Sequence, residues 1–135
     1  MTPEEQLQQK YEQFQMLQQQ MEQINQHLEL LHQRNAELDV SINAVKELGN
    51  VVVGTEILAP IADGILFKAK LENNQKLIVN VGSNTTVEKT IPEVVKLLEE
   101  QKEDIERRTF EIQELAQQFE QKAMQIFKEI EEEVQ

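Results

Sequence analysis

Hydrophobic residues recur with a seven-residue period over two long segments, from about residue 4 to residue 48 and from about residue 92 to residue 134. Their spacing alternates between three and four. This is the narrow seam of an α-helical coiled coil rather than the broad stripe of a helix packed on a globular core. The two predicted helices have nearly equal lengths of roughly 65 Å each. This layout predicts that they pair with each other as an antiparallel coiled coil. In the first segment the seam positions are Leu7, Lys10, Phe14, Leu17, Met21, Ile24, Leu28, Leu31, Asn35, Leu38, Ile42 and Val45.

The seam of the second segment has one clear column and two possible partner columns. The clear column is Ile91, Leu98, Ile105, Ile112, Phe119 and Ile126. Its partner is either Val95, Lys102, Thr109, Ala116, Ala123 and Ile130, or Val94, Gln101, Arg108, Leu115, Lys122 and Glu129. We favour the first, because small Ala and Thr side chains let two helices approach closely. Three apolar residues then lie off the seam, namely Phe110, Leu115 and Phe127.

Capping signals mark the helix ends. Thr2 and Glu5, with Pro3 between them, have the spacing of a capping box, and Thr90 and Glu93 repeat it. Gly49 is a residue type that often follows the last helical turn in a left-handed conformation, so the first helix should end there. These signals divide the chain into a first coiled-coil helix over 1–49, an insert over 50–90 and a second coiled-coil helix over 91–135.

Within the insert the hydrophobic period changes to two, which predicts β-strands. Turn signals at 63–64, 72–75 and 82–84 separate four short strands, arranged as two hairpins or as a meander. The fold class is therefore α+β and mostly α. Because a lone small sheet leaves open edges, we expect this insert to join subunits in an oligomer. The predicted oligomerisation residues are Ile57, Ala59, Ile61, Ile65, Phe67, Leu71, Leu77, Val79, Val81 and Val87.

Composition excludes several classes of function. The 135 residues carry a formal net charge of −12, which argues against nucleic-acid binding because phosphate contacts require basic patches. There is no signal peptide and no apolar run long enough to cross a bilayer, so we expect a cytoplasmic protein without a membrane partner. The chain has no cysteine, which rules out disulfides and thiolate metal sites.

No residue pattern predicts catalysis. His27 and His32 are five residues apart, whereas two imidazoles over one metal on a helix need a spacing of four. The four glycines form no phosphate-binding loop, and the acidic clusters on the second helix are typical of a solvated face. A two-helix rod offers no cleft that excludes water. We therefore predict no enzyme activity, no catalytic residue, no cofactor and no metal site.

The insert carries a family resemblance. Residues 54–61, Gly-Thr-Glu-Ile-Leu-Ala-Pro-Ile, resemble a strand of the prefoldin subunits, and residues 77–83 and 86–90 resemble the strands that precede the second helix of that family. Room for two hairpins is similar to the α class of subunit, since the β class has one. The chain departs from the α class at 84–86, where Asn-Thr-Thr replaces a common aromatic stretch.

The resemblance implies a co-chaperone that uses no nucleotide. Two α-class and four β-class subunits would form a hexamer, with the hairpins joined into a β-barrel body and the coiled coils projecting from it. Unfolded proteins would be held at the coiled-coil tips, which carry both chain termini, and passed to a group II chaperonin.

Apolar residues near the termini are the candidates for binding unfolded clients, because methionine and aromatic surfaces adapt to varied partners. They are Leu7, Tyr11, Phe14, Met16, Leu17, Phe119, Met124, Ile126, Phe127, Ile130 and Val134. A simpler interpretation is that the seam members only complete the coiled coil. Two alternative functions stay open at this point, a structural or tethering coiled coil and a filament-forming prefoldin relative.

Overall fold

The computed structural model describes residues 2–134, which form two long helices and four strands. The chain forms two compact structural units. We call them the terminal unit, which comprises the chain up to Asn35 and from Asp104 onward, and the hairpin unit, Ala36–Glu103. The elements in chain order are α1 (Pro3–Leu48), β1 (Glu56–Ala62), β2 (Ile65–Lys70), β3 (Lys76–Gly82), β4 (Thr85–Thr90) and α2 (Ile91–Val134).

The seam predicted for α1 is confirmed. All twelve predicted seam positions are buried or half-buried, and the rest of the helix is exposed except for Asp39 and Leu48. The one fully buried large side chain among the described residues is Leu38, of which 1% is exposed. A narrow seam of this kind leaves most of each helix in solvent, as expected for a coiled coil.

The favoured seam of α2 is also confirmed. Its partner column, from Val95 to Ile130, is buried or half-buried throughout, whereas the rival column is exposed from Gln101 to Lys122. The polar seam residue Lys102 has a local explanation, because its ammonium group pairs with the Asp39 carboxylate of α1. Its alkyl chain can then lie along the seam while its charge is neutralised.

The capping box of α1 forms in full, whereas at α2 only the bond to the Thr hydroxyl has the geometry of a capping box. The Glu5 backbone N–H donates to the Thr2 hydroxyl at 3.2 Å, and the Thr2 N–H donates to the Glu5 carboxylate at 3.4 Å. At the start of α2 the Glu93 N–H donates to the Thr90 hydroxyl at 3.3 Å, and that hydroxyl donates to the Glu93 carboxylate at 3.0 Å. These bonds satisfy N–H groups that have no partner inside the helix.

Gly49 follows the last residue of α1, close to the predicted helix end, but without the left-handed conformation that is common at this position. Helix α1 ends at Leu48, but Gly49 is not among the residues with positive φ. The chain instead tightens into a turn, in which the Gly49 N–H donates to the Lys46 carbonyl and the Asn50 N–H to the Glu47 carbonyl. A Cβ at Gly49 would stand 3.4 Å from both the Lys46 carbonyl oxygen and the Ile91 Cδ1. Both distances are at the lower end of ordinary van der Waals contact, so neither space nor backbone handedness strictly requires glycine here.

The insert forms two hairpins and not a meander. Strand β1 pairs with β2, and β3 pairs with β4, both antiparallel and in separate two-stranded sheets. Each ladder has a bulge one residue before its turn, which leaves Ile61 and Val81 without a cross-strand partner. In the turn that connects β3 to β4, Ser83 and Asn84 have positive φ, a conformation that suits a two-residue hairpin loop. Leu71 lies just beyond β2, where its backbone N–H donates to the Thr55 carbonyl.

Neither hairpin has a buried apolar residue, although both are rich in apolar side chains. Half-burial is limited to a few positions, such as Ala59, Leu77 and Val79, whereas Phe67 is 49% exposed. The hairpins therefore show apolar surface without a partner in the single chain. Within residues 2–134, neither helix is long and apolar enough to cross a membrane.

Candidate functional site: apolar grooves of the terminal unit

The two helices of the terminal unit pack around a small core that contains four buried residues. Half-buried Leu7, Phe14, Met21 and Phe119 pack against this core. The buried members are Leu17, Ala123, Ile126 and Ile130. A small residue, Ala123, thus occupies a seam position among much larger ones, and side chains of unequal size leave gaps beside the seam.

The first groove opens beside Ala123 and has a volume of about 400 Å³. Apolar side chains from both helices line it, with charged and amide groups at its edge. The lining residues are Phe14, Gln18, Met21, Glu120, Ala123, Met124, Phe127, Lys128 and Glu131. Because Ala123 ends at its methyl group, the neighbouring Phe14 and Met21 are left half-exposed instead of covered.

The second groove, of about 390 Å³, lies closer to the chain ends and is lined by Tyr11, Phe14, Phe127, Ile130, Glu131 and Val134. Three of these residues, Phe14, Phe127 and Glu131, also line the first groove. The rings of Phe14 and Phe127 pack in a tilted arrangement with centroids 5.8 Å apart. This aromatic pair is the wall common to both grooves.

Acidic groups dominate the charge around these grooves. The first groove has two carboxylates, Glu120 and Glu131, and one ammonium group, Lys128, while the only charged residue of the second is Glu131. Within residues 2–134, no basic side chain forms an ion pair with Glu131. Each groove therefore has a net negative charge.

Lys10, a polar seam residue of α1, is held by two carboxylates of α2. Its ammonium group forms a hydrogen-bonded ion pair with Glu133 and a second ion pair with Glu129 at 3.7 Å. The hydrogen bond to Glu133, followed by the charges of both carboxylates, raises the pKa of Lys10 above its ordinary value. The pairing holds the last turns of α2 against α1 and satisfies a charge that would otherwise interrupt the seam.

A third groove of about 400 Å³ lies on the other flank of the seam. It is lined by Gln20, Gln23, Ile24, His27, Ile112, Leu115 and Phe119. The off-seam Leu115 thus has a structural context, and His27, though exposed, borders an apolar surface rather than only solvent. No group of three or more His, Asp or Glu side chains suited to a metal ion occurs in the described part of the chain.

The predicted client-binding residues fall into two groups. Six are seam residues, and of these Leu17, Ile126 and Ile130 are buried in the core. Five are exposed, namely Tyr11, Met16, Met124, Phe127 and Val134. Four of the exposed residues line the first or second groove, whereas Met16, 61% exposed, lines neither.

The client-binding residues predicted from the sequence do not include four polar residues of the first groove, nor Met21 and Ala123, which the heptad pattern assigned only to the seam. Gln18, Glu120, Lys128 and Glu131 line the first groove beside the predicted aromatic residues. The available signal was helical spacing, since Glu131 is four residues after Phe127 and therefore lies on the same face of α2. The size mismatch at Ala123 was a second signal.

Comparisons with known proteins agree with this architecture. The family model of the prefoldin subunit matches residues 17–135. Prefoldin subunit alpha of Methanococcus aeolicus is 31% identical over 131 residues, covering 97% of this chain and 89% of that protein. Prefoldin subunit alpha of Thermofilum pendens is 37% identical over 70 residues, which is 52% of this chain and 54% of that protein. The chain thus spans about half the length of the Thermofilum protein.

A solved structure has the same fold. The cryo-EM structure of filamentous PFD from Methanocaldococcus jannaschii superimposes with a TM-score of 0.76 at 21% identity, covering 85% of this chain and 95% of that chain. The chain belongs to the prefoldin family, and within that family it is a subunit of the α class.

Proposed function

We propose that this chain is a cytoplasmic, ATP-independent holdase subunit that captures unfolded proteins in the grooves of its terminal unit. The observation that supports this proposal is the Phe14–Phe127 pair, which has an apolar groove on each side and is itself partly open to solvent. A coiled coil needs no such surface for its own stability. Contiguous apolar surface on a soluble protein is typical of a binding site for another chain.

The grooves suit weak binding of many different clients better than tight binding of one ligand. They are shallow and run along a helix pair, and their exposed members include Tyr11, Met124 and Phe127. Methionine and aromatic side chains adapt to many apolar partners. Several subunits that grip one client at once raise the overall affinity without any single tight contact.

The hairpins supply the means of assembly in this proposal. Their apolar side chains are largely exposed and each two-stranded sheet has unpaired edges, so partner chains are needed to cover them. We infer a hexamer of two α-class and four β-class subunits, in which hairpins from all subunits form a β-barrel body. The assembled chaperone delivers its clients to a group II chaperonin.

Light scattering tests the holdase function. A chemically denatured client is diluted into buffer with the full-length chain in the assembly that it forms, and aggregation is followed over time. The assembled protein should slow aggregation in proportion to its concentration. A variant without residues 1–12 and 124–135 should assemble but hold the client poorly. If the intact protein does not slow aggregation, the holdase proposal is wrong.

A filament is the second candidate assembly. The solved structure that matches the fold is of filamentous PFD, and separate hairpins with open edges can pair head to head without closing a ring. Electron microscopy of the purified chain, alone and with a β-class subunit, separates closed particles from filaments. A purely tethering coiled coil is less well supported, because a spacer has no use for exposed Tyr11, Met124 and Phe127.

A further inference from the structure

We propose that Glu131 gives the grooves a preference for unfolded segments in which an arginine or lysine lies next to bulky apolar side chains. This inference rests on the proposed client-binding function and adds to it the chemical class of segment that binds. Glu131 would act as a specificity residue, in contact with the client, while the aromatic pair supplies most of the affinity.

Glu131 lines both grooves. It is the one charged residue that lines both the first and the second groove, and it shares this position with Phe14 and Phe127. An extended segment whose apolar side chain lies against the aromatic pair therefore has its neighbouring side chains within reach of this carboxylate. In an extended chain these neighbours are offset by only about 3.3 Å per residue.

The Glu131 carboxylate has no ion-pair partner in the described part of the chain. Lys10, the seam lysine of the facing helix, is already bound to Glu129 and Glu133, and its raised pKa keeps it cationic there. A cationic side chain of a client would thus meet an unpaired acceptor.

The whole site has a negative charge, which is complementary to a basic client segment. Counting every lining residue, the first groove has two carboxylates and one ammonium group, and the second has one carboxylate. The Lys10 cluster adds one positive and two negative charges beside them. Each of these sets has a net charge of −1, on a chain whose formal net charge is −12. Acidic segments are therefore repelled and basic ones are favoured.

Two short fluorescent peptides test the preference. Both contain the same central Phe-Leu pair, flanked in one peptide by arginine and in the other by glutamine, and their affinities for the full-length assembled chain are measured by anisotropy at low ionic strength. We expect the arginine peptide to bind about two- to five-fold more tightly, the range for one exposed ion pair. Glu131→Gln should remove this difference, so that the two peptides bind equally tightly.

Glu132→Gln is the matched control. It removes the same charge one residue away, from an exposed side chain that lines neither groove. It should leave the preference unchanged, whereas Glu131→Lys should reverse it in favour of a peptide flanked by glutamate. Circular dichroism verifies that each variant is helical.

The outcomes separate the proposal from the function on which it rests. Equal binding of both peptides, or equal loss of preference in the Glu131 and Glu132 variants, would overturn the role of Glu131 while client binding stands. If the wild-type assembly binds neither peptide, both the specificity proposal and the holdase function fail. A preference removed only by the Glu131 substitution supports the proposal.

Discussion

Removal of the Phe127 ring is the most direct perturbation of the grooves. Phe127 lines both of them, packs on Phe14 at a centroid distance of 5.8 Å and is 47% exposed. Phe127→Ala should weaken client holding strongly and coiled-coil stability only moderately. The chain offers a matched control in Phe110, which is also on α2 and off the seam, is 62% exposed and lines none of the grooves described above.

The stability cost follows from the buried part of the ring. Full burial of a phenylalanine side chain contributes roughly 1.5–3 kcal/mol, so half-burial contributes about 1 kcal/mol. The aromatic pair adds about 0.5–1.5 kcal/mol. The free energy of unfolding should therefore fall by about 2 kcal/mol, which the core of Leu17, Ile126 and Ile130 should survive.

The cost in client binding follows from the exposed part. About half of a phenylalanine surface is roughly 100 Å², and covering half of that at about 25 cal/mol per Å² contributes about 1.2 kcal/mol. This is about a tenfold loss in the affinity of one subunit for an apolar peptide. If several subunits grip one client, as proposed, the loss in holding capacity should be larger than the loss for a single peptide.

The assay measures both quantities in the same preparations. Thermal unfolding followed by circular dichroism gives the stability, and the suppression of client aggregation gives the holding capacity. Phe127→Ala should need a much higher concentration to suppress aggregation, whereas Phe110→Ala should resemble wild type. If the two variants lose holding capacity equally, general surface hydrophobicity and not the grooves is responsible, and the reasoning is refuted.

Three further predictions concern the seam and the hairpins. Asn35→Leu should raise the free energy of unfolding by about 1–3 kcal/mol in denaturant titrations, because the buried Asn35 amide oxygen has no hydrogen-bond partner; a loss of stability would contradict this. Lys10 has a raised pKa, so its pairing with Glu133 stabilises the fold fully below about pH 10 and less as pH rises through the folded-state pKa. As the pH rises above about 10, the melting temperature should fall in wild type and fall less in Lys10→Met. If the melting temperatures of the two proteins fall equally with pH, the pairing does not contribute to stability. Phe67→Asp, on the exposed hairpin surface, should reduce the mass of the assembly in multi-angle light scattering without loss of helix; an unchanged mass would exclude Phe67 from the interface.

The heptad pattern predicted the helices and their registers because burial in a coiled coil depends on local spacing. Each seam residue of α1 was identified from its position alone, and the close approach of small residues such as Ala116 and Ala123 identified the α2 seam. The capping boxes were predictable for the same reason, since both partners lie within three residues of each other.

The grooves were less predictable because they depend on the fit between side chains of two helices. Spacing places Phe14 and Phe127 near the seam, but only the small volume of Ala123 opposite Phe14 leaves a groove. Met16 has the exposed apolar side chain expected of a client-binding residue, but it lies outside the first and second grooves. The residue type at Gly49 indicated where the helix ends but not the backbone conformation, which is a tight turn closed by hydrogen bonds to the Lys46 and Glu47 carbonyls.

The open hairpins have a consequence for how the cell must make this protein. Their apolar side chains and strand edges have no cover within one chain, so the folded state of the hairpins is coupled by mass action to the concentration of partner subunits. A copy of the chain without partner subunits exposes apolar surface and unpaired strand edges. These are the features through which unfolded proteins aggregate. The structure therefore predicts that synthesis in balance with partner subunits protects this chain from aggregation.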